Sequence, residues 1–277
     1  MFISLNTSLN DKDFMHNEDN GLDELGFIRN NYSVDKIQPE FKPVVDNVVQ
    51  QLTQRLPAQI DGIYLYGSVP RGTAVVGRSD LDISIILNTP ITEPVERIFQ
   101  EISNTIPYNH PQISKIDIDP GYLNIIQNPQ ELYHWQFWLK HCCCCVWGND
   151  RAVSFVKHKP NFEIAFALNG DLLAFLEQMA DSFSKMDDKA VAKILGKKLV
   201  RAAYYFIAAK DESWYIDLSQ CAQAVKKYYP DQQEDIGLAY LFACGTLTSK
   251  ADAVELYQRL SRKVNEMAVN LSKQNTF

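Results

Sequence analysis

The chain has 277 residues, a mass of 31.6 kDa and a formal net charge of −7 at neutral pH. With 46% hydrophobic and 22% charged residues it can build a sizeable core, which excludes general disorder. No apolar run approaches the ~18 residues of a membrane span, and the acidic balance disfavours a broad grip on nucleic acid, whose phosphates demand a basic surface.

The Met1 region shows no basic flank followed by an apolar stretch, so no secretory signal is expected and the protein is read as cytoplasmic. Residues 1–35 read as a polar N-terminal arm, with six acids between Asp11 and Glu24. An amphipathic helix is predicted from Phe41 to Leu56, where Val44, Val45, Val48, Val49 and Leu52 recur at helical spacing. Ile60–Tyr66 alternates like a strand and stops at Gly67-Ser68, and Leu81–Leu87 is a second strand. Thr92 is a candidate N-cap, with Pro94 in the first turn, for a helix to about Ile106. A third strand is expected near Ile113–Ile118, ended by Pro120-Gly121, and then a helix around Gln130–His141.

Cys142, Cys143, Cys144 and Cys145 follow directly, while Cys221 and Cys244 stand alone. Neighbouring cysteines on a strand point to opposite faces, which suits neither a disulfide framework nor a metal knuckle. A buried strand of small apolar residues in a reducing compartment is the expectation, with Cys143 and Cys145 sharing one face. The second half reads as helices at Asp171–Phe183, Lys189–Ala209, Leu218–Tyr229, Ile236–Cys244 and Ala251–Leu271. An α/β or α+β unit followed by a helical bundle is therefore predicted, divided near residue 160.

The segment from Tyr64 to Leu87 carries the chemistry. A strand ends in Gly67-Ser68, where glycine permits close backbone approach and the turn's N–H groups and hydroxyl suit a phosphate. Asp80 and Asp82 flank one residue on a strand, so both carboxylates leave the same face and repel unless a divalent cation lies between them. On the next strand Asp117 and Asp119 also share a face, and either could complete a three-carboxylate site for Mg²⁺ and a nucleoside triphosphate.

Gly67-Ser68, Arg71-Gly72, Ser79-Asp80-Leu81-Asp82 and Ile116-Asp117-Ile118 together resemble the DNA polymerase β-type nucleotidyltransferase superfamily. The following helical bundle makes the chain most similar to the bacterial branch that includes aminoglycoside adenylyltransferases. The resemblance implies an α+β nucleotidyltransferase domain over residues 36–160, a short mixed sheet flanked by helices, and an acceptor or partner domain over 161–277. It implies that Gly67 and Ser68 hold the β- and γ-phosphates, that Asp80 and Asp82 are metal ligands, and that Asp117 is the third carboxylate and base, with Asp119 as alternate. Arg71 either neutralises phosphate charge or braces the loop.

Lys197, Arg201 and Tyr204 fall on one face of a long helix, as a basic clamp on a triphosphate or as a solvated face; Lys198 is a weaker candidate. Trp135, Trp138, Trp147 and Trp214 are read as core, and the five histidines show no metal-like pairing. Asp150 lies in a turn that could reach the cleft. The expected activity is Mg²⁺-dependent transfer of a nucleoside monophosphate, AMP from ATP, to a hydroxyl of a small, aminoglycoside-like acceptor. A protein-modifying adenylyltransferase of the toxin-neutralising type, a non-catalytic nucleotide-binding module and a homodimer are left open.

Overall fold

The computed structural model describes residues 19–274; the acidic stretch through Glu18 lies outside them. Four strands form one sheet: β1 (Ile60–Tyr66), β2 (Leu81–Leu87), β3 (Ile116–Tyr122) and β4 (Cys144–Gly148), in the order β3-β2-β1-β4. β1 pairs antiparallel with β2 and β4, and β2 pairs parallel with β3, so the sheet is mixed. The parallel pair needs a crossover, which α2 (Glu93–Asn109) supplies. α1 (Lys42–Arg55) and α2 cover one sheet face. Val44, Val48 and Leu52 from α1 and Val95, Phe99 and Ile102 from α2 pack against Ile63, Leu65, Leu81, Ile83 and Ile85.

β1 and β2 begin and end where the alternation predicts, because both are central strands with one fully buried face. β3 differs: it starts at Ile116 and runs through Pro120-Gly121 instead of stopping there. It is an edge strand, and an edge tolerates proline because one row of N–H groups needs no ladder partner. Thr92 adopts the extended backbone of an N-cap but makes no side-chain capping bond, and α2 continues past Ile106 and Pro107 to Asn109.

The cysteine run also departs from expectation. Cys142 ends α3 (Phe137–Cys142) and Cys143 links it to β4, so only Cys144 and Cys145 lie in the strand. Cys143 and Cys145 do share the face that packs with Tyr64 and Ile86, but β4 is an edge strand and leaves Cys144 and Cys145 half-buried. All six cysteines are free. Burial pushes the thiols of Cys142 and Cys144 up to about 12 and that of Cys145 to about 11, which makes them poor nucleophiles. Asp61, 5% exposed on β1, ties down the exit of β4 through two hydrogen bonds from Arg151, at 2.6 and 2.8 Å, and one from Asn149 at 2.9 Å.

The helical half comprises α4 (Phe162–Asn169), α5 (Asp188–Asp211), α6 (Leu218–Tyr228), α7 (Gln233–Ala243) and α8 (Lys250–Gln274). The stretch 171–183, expected as one helix, is instead broken into the short helical turns Phe175–Gln178 and Ala180–Ser184. α5 is the axis of this half, burying Val191, Leu195, Leu199, Ala203 and Ile207 against α4, α6, α7 and α8. At Gly196 a Cβ would lie 2.5 Å from the Ala239 carbonyl oxygen and the Ala243 nitrogen, so the missing side chain permits the close crossing of α5 and α7. Ile28, Phe137 and Cys142 join this helical core from outside it. Ile28, only 2% exposed, lies in the stretch read from sequence as a polar arm. No helix among the described residues is long and apolar enough to cross a membrane.

Candidate active site

The sheet face opposite α1 and α2 carries the acids. Register sets Tyr66 of β1, Asp82 of β2 and Asp117 of β3 side by side. Asp80, immediately before β2, brings its carboxylate to the same place. Ligand oxygens of Asp80, Asp82 and Asp117 all lie within 4.8 Å of one another. Burial, then the charges of Asp80 and Asp117, pushes the Asp82 carboxyl up to about 7. Lys115 offsets part of the repulsion by pairing with Asp117 and lying 4.0 Å from Asp80. Asp119, the alternate, is taken up elsewhere: it accepts a hydrogen bond from the Tyr66 hydroxyl. The structure thus brings Asp117, not Asp119, together with Asp80 and Asp82.

β1 runs into Gly67, whose φ of +78° is in the left-handed region. A Cβ there would lie 1.9 Å from Asp82 Oδ2, so steric exclusion as well as backbone conformation demands glycine. Ser68 starts a single helical turn, Val69–Arg71, and its buried Oγ has no hydrogen-bond partner within the protein. A buried unpaired hydroxyl is costly unless a ligand or an ion satisfies it. Arg71 Nε donates to the Gly67 carbonyl at 2.8 Å, holding the turn closed.

The acids open into a cleft of about 480 Å³ whose other wall is the helical half. Tyr66, Gly67, Arg71 and Asp82 line it from the sheet side, and Lys197, Lys198 and Arg201 from α5. Arg201 donates to the Tyr205 hydroxyl at 3.3 Å and the Ile216 carbonyl at 3.2 Å. Lys198 is committed to Asp171 at 2.6 Å. Neither Arg71, Lys197 nor Arg201 forms a close ion pair among the described residues; the charges of Asp80 and Asp82 act on Lys197 from across the cleft, and that of Asp217 acts on Arg201. Tyr204, expected on this face, is fully buried instead; its hydroxyl hydrogen-bonds Ser213 Oγ at 2.8 Å and accepts from the Tyr215 N–H. Asp150 does not line the cleft: its side chain caps the turn Arg151–Ser154.

The nucleotidyltransferase-domain family model matches residues 45–136, from within α1 to just before α3, a span that includes the glycine turn and all three acids. The chain carries a nucleotidyltransferase domain. Among solved structures, its fold is similar to that of spectinomycin adenyltransferase AAD(9) from Enterococcus faecialis, a crystal structure with ATP and spectinomycin. The TM-score is 0.56 at 15% identity, covering 82% of this chain and 98% of that one, so the likeness extends over the helical half. No curated protein matches the sequence.

Several residues around the nucleotidyltransferase domain's cleft carry no sequence signal. Trp138 lines the cleft, packs edge-on against Tyr66 at 4.9 Å and donates from Nε1 to the buried Ser84 Oγ at 3.1 Å. Trp214 lies 5% exposed at the cleft wall, stacked on Tyr205 at 4.8 Å. Arg29 and Tyr32 reach the cleft from the N-terminal segment. Tyr205 had one usable clue: it stands at i+4 from Arg201 and i+8 from Lys197, continuing the i+4 row that those two define.

Proposed function

We propose that the protein is an Mg²⁺-dependent transferase that moves a nucleoside monophosphate, AMP from ATP, to a hydroxyl of a small-molecule acceptor and releases pyrophosphate. One observation carries the reading: three converging carboxylates, of which Asp82 lines the cleft beside Arg71 and the turn of Ser68 with its buried unpaired hydroxyl, stand on one wall, and Lys197 and Arg201 stand on the other. A triphosphate with its metal has the charge pattern that satisfies both walls.

The donor set fits a hard divalent cation. Three carboxylates are oxygen ligands, and Asp82 is shifted upward by burial and then by the charges of Asp80 and Asp117, a repulsion that such a cation relieves. Asp80, Asp82 and Asp117 would hold Mg²⁺, which when bound polarises the phosphate and offsets charge on the departing pyrophosphate. Gly67 leaves the turn open to the phosphates, and Ser68 donates its hydroxyl to one of them. Arg71, Lys197 and Arg201 bind the triphosphate oxygens and hold the α-phosphate in line with the acceptor. Asp117 takes the acceptor hydroxyl's proton, the transfer forming the new phosphoester bond as the bond to pyrophosphate breaks.

In this reading residues 36–160 supply nucleotide and metal chemistry, while 161–277 supply a cation wall and acceptor choice. An aminoglycoside-like acceptor finds support in the fold neighbour, solved with ATP and spectinomycin. Both cleft walls belong to one chain, so the chemistry requires no second copy. Incubation with labelled ATP, CTP, GTP or UTP, Mg²⁺ and a panel of aminocyclitols and candidate proteins tests the proposal. Pyrophosphate release with label on a small molecule, lost in Asp80→Asn, is the expected result. Label on a protein favours the protein-modifying alternative, and the absence of nucleotide binding overturns the transferase reading.

A further inference from the structure

The N-terminal segment, polar in composition, has an apolar set of its own: Leu22, Phe27, Ile28 and Tyr32. Asp23 Oδ1 accepts from the N–H groups of Leu25 and Phe27, closing a turn that brings Leu22 opposite Ile28. Anchors on both sides of the cleft then fix the segment. On the helical side, the Trp214 N–H donates to the Asn20 carbonyl at 2.6 Å, and Gly21 sits so close that a Cβ would lie 2.1 Å from the Trp214 oxygen. On the sheet side, Asn30 Nδ2 donates to the carbonyls of Lys140 and Cys143 at 2.9 and 2.8 Å, and the Ser33 N–H donates to the Pro70 carbonyl at 2.9 Å. The last bond lands in the helical turn that follows Ser68.

Between these anchors Tyr32 enters the cleft. The Arg71 guanidinium stands 6.0 Å from its ring centroid, at the outer limit of a cation–π contact, and Arg201 also lies within its electrostatic reach. Arg71 and Arg201 come from opposite halves, bear like charge and form no close ion pair among the described residues, although the Asp217 charge acts on Arg201. An aromatic face beside them lowers the cost of holding such cations in a half-closed cleft before an anion arrives.

We propose that residues 19–33 form a fixed strap that completes the nucleotide cleft, with Tyr32 as the positioning residue that sets Arg71 and Arg201 for a triphosphate. The inference rests on the transferase reading. Its test is calorimetric titration of Mg²⁺–ATP, and of the other three triphosphates, into the full chain carrying Tyr32→Ala or Tyr32→Phe, together with steady-state kinetics. Tyr32→Ala is expected to raise Kd and KM for the triphosphate about tenfold, or about 1.4 kcal/mol, while kcat falls less than about threefold. Tyr32→Phe keeps the ring and restores Kd to within about twofold of wild type. A residue that only fills space lowers the melting temperature and the active fraction with KM unmoved, and that result overturns the proposal. Should Tyr32→Ala fail to fold, Asn30→Ala unpins the strap and raises KM in the same direction; an unmoved KM there is equally fatal. Wild-type protein that binds no triphosphate refutes the transferase reading and this one together. Wild-type binding with an unchanged Tyr32→Ala Kd refutes this one alone.

Discussion

Replacing Asp82 by Asn separates what the fold tolerates from what the chemistry needs. In the metal-free protein Asp82 is held near pKa 7, against 3.8 for the ordinary group, first by burial and then by Asp80 and Asp117. A carboxyl raised in the folded state binds its proton more tightly there than in the unfolded chain, so stability falls as pH climbs from about 4 to about 7. Three pH units correspond to an upper bound of about 4 kcal/mol, and screening at a cleft open to water reduces that to about 2 kcal/mol. Asp82→Asn removes the penalty with little change of shape. With EDTA at pH 8 its melting temperature should exceed that of wild type by several degrees, and the gap should close by pH 4. Added Mg²⁺ should raise the wild-type midpoint and leave the variant unmoved, and transfer activity should vanish. Thermal denaturation at the two pH values, with and without Mg²⁺, reads all of this. A variant no more stable than wild type at pH 8, or one that Mg²⁺ stabilises equally, refutes the reasoning.

Gly67→Ala should abolish turnover and cost about 1–2 kcal/mol by denaturant titration, because its Cβ meets the Asp82 carboxylate at a left-handed backbone position. Arg201→Ala should weaken triphosphate binding or slow transfer by about one to two decades, checked by KM and kcat; an inert variant would mean that the helical half serves another purpose. His141, 3% exposed, is lowered to about 4 by burial and then by the neighbouring His158. Its contribution is therefore complete above about pH 6.5 and lost as pH falls toward 4, about 2–3 kcal/mol; urea midpoints at pH 7.5 and 5 should differ, and His141→Gln should flatten that slope.

How much of this was readable from the residues depends on how local the cause is. The limits of β1 and β2 follow from alternation that one buried face enforces, and the acid triad follows from the same period of two. The choice between Asp117 and Asp119 does not, since they share a face; strand register sets Asp117 opposite Asp82 and leaves Asp119 to Tyr66. Lys197 and Arg201 were visible as a helix row, but the row's next member is Tyr205, because Tyr204 finds Ser213 inside. The strap was illegible for a different reason. Asp23 and Glu24 give it a polar composition, while Ile28 and Tyr32 have their partners far along the chain.

That distance has a kinetic side. Asn20 Nδ2 donates to the Glu212 carbonyl across 192 positions, so the segment from Asp19 to Ser33 must wait until the chain has been made past Glu212 before it can seat. Closing so long a loop costs on the order of 5 kcal/mol in chain entropy, which contacts with the packed helical half must offset. Until then Ile28, Phe137 and Cys142 lack their apolar surroundings, and a nascent chain released early presents them to solvent. Refolding should therefore recover secondary structure well before it recovers triphosphate affinity.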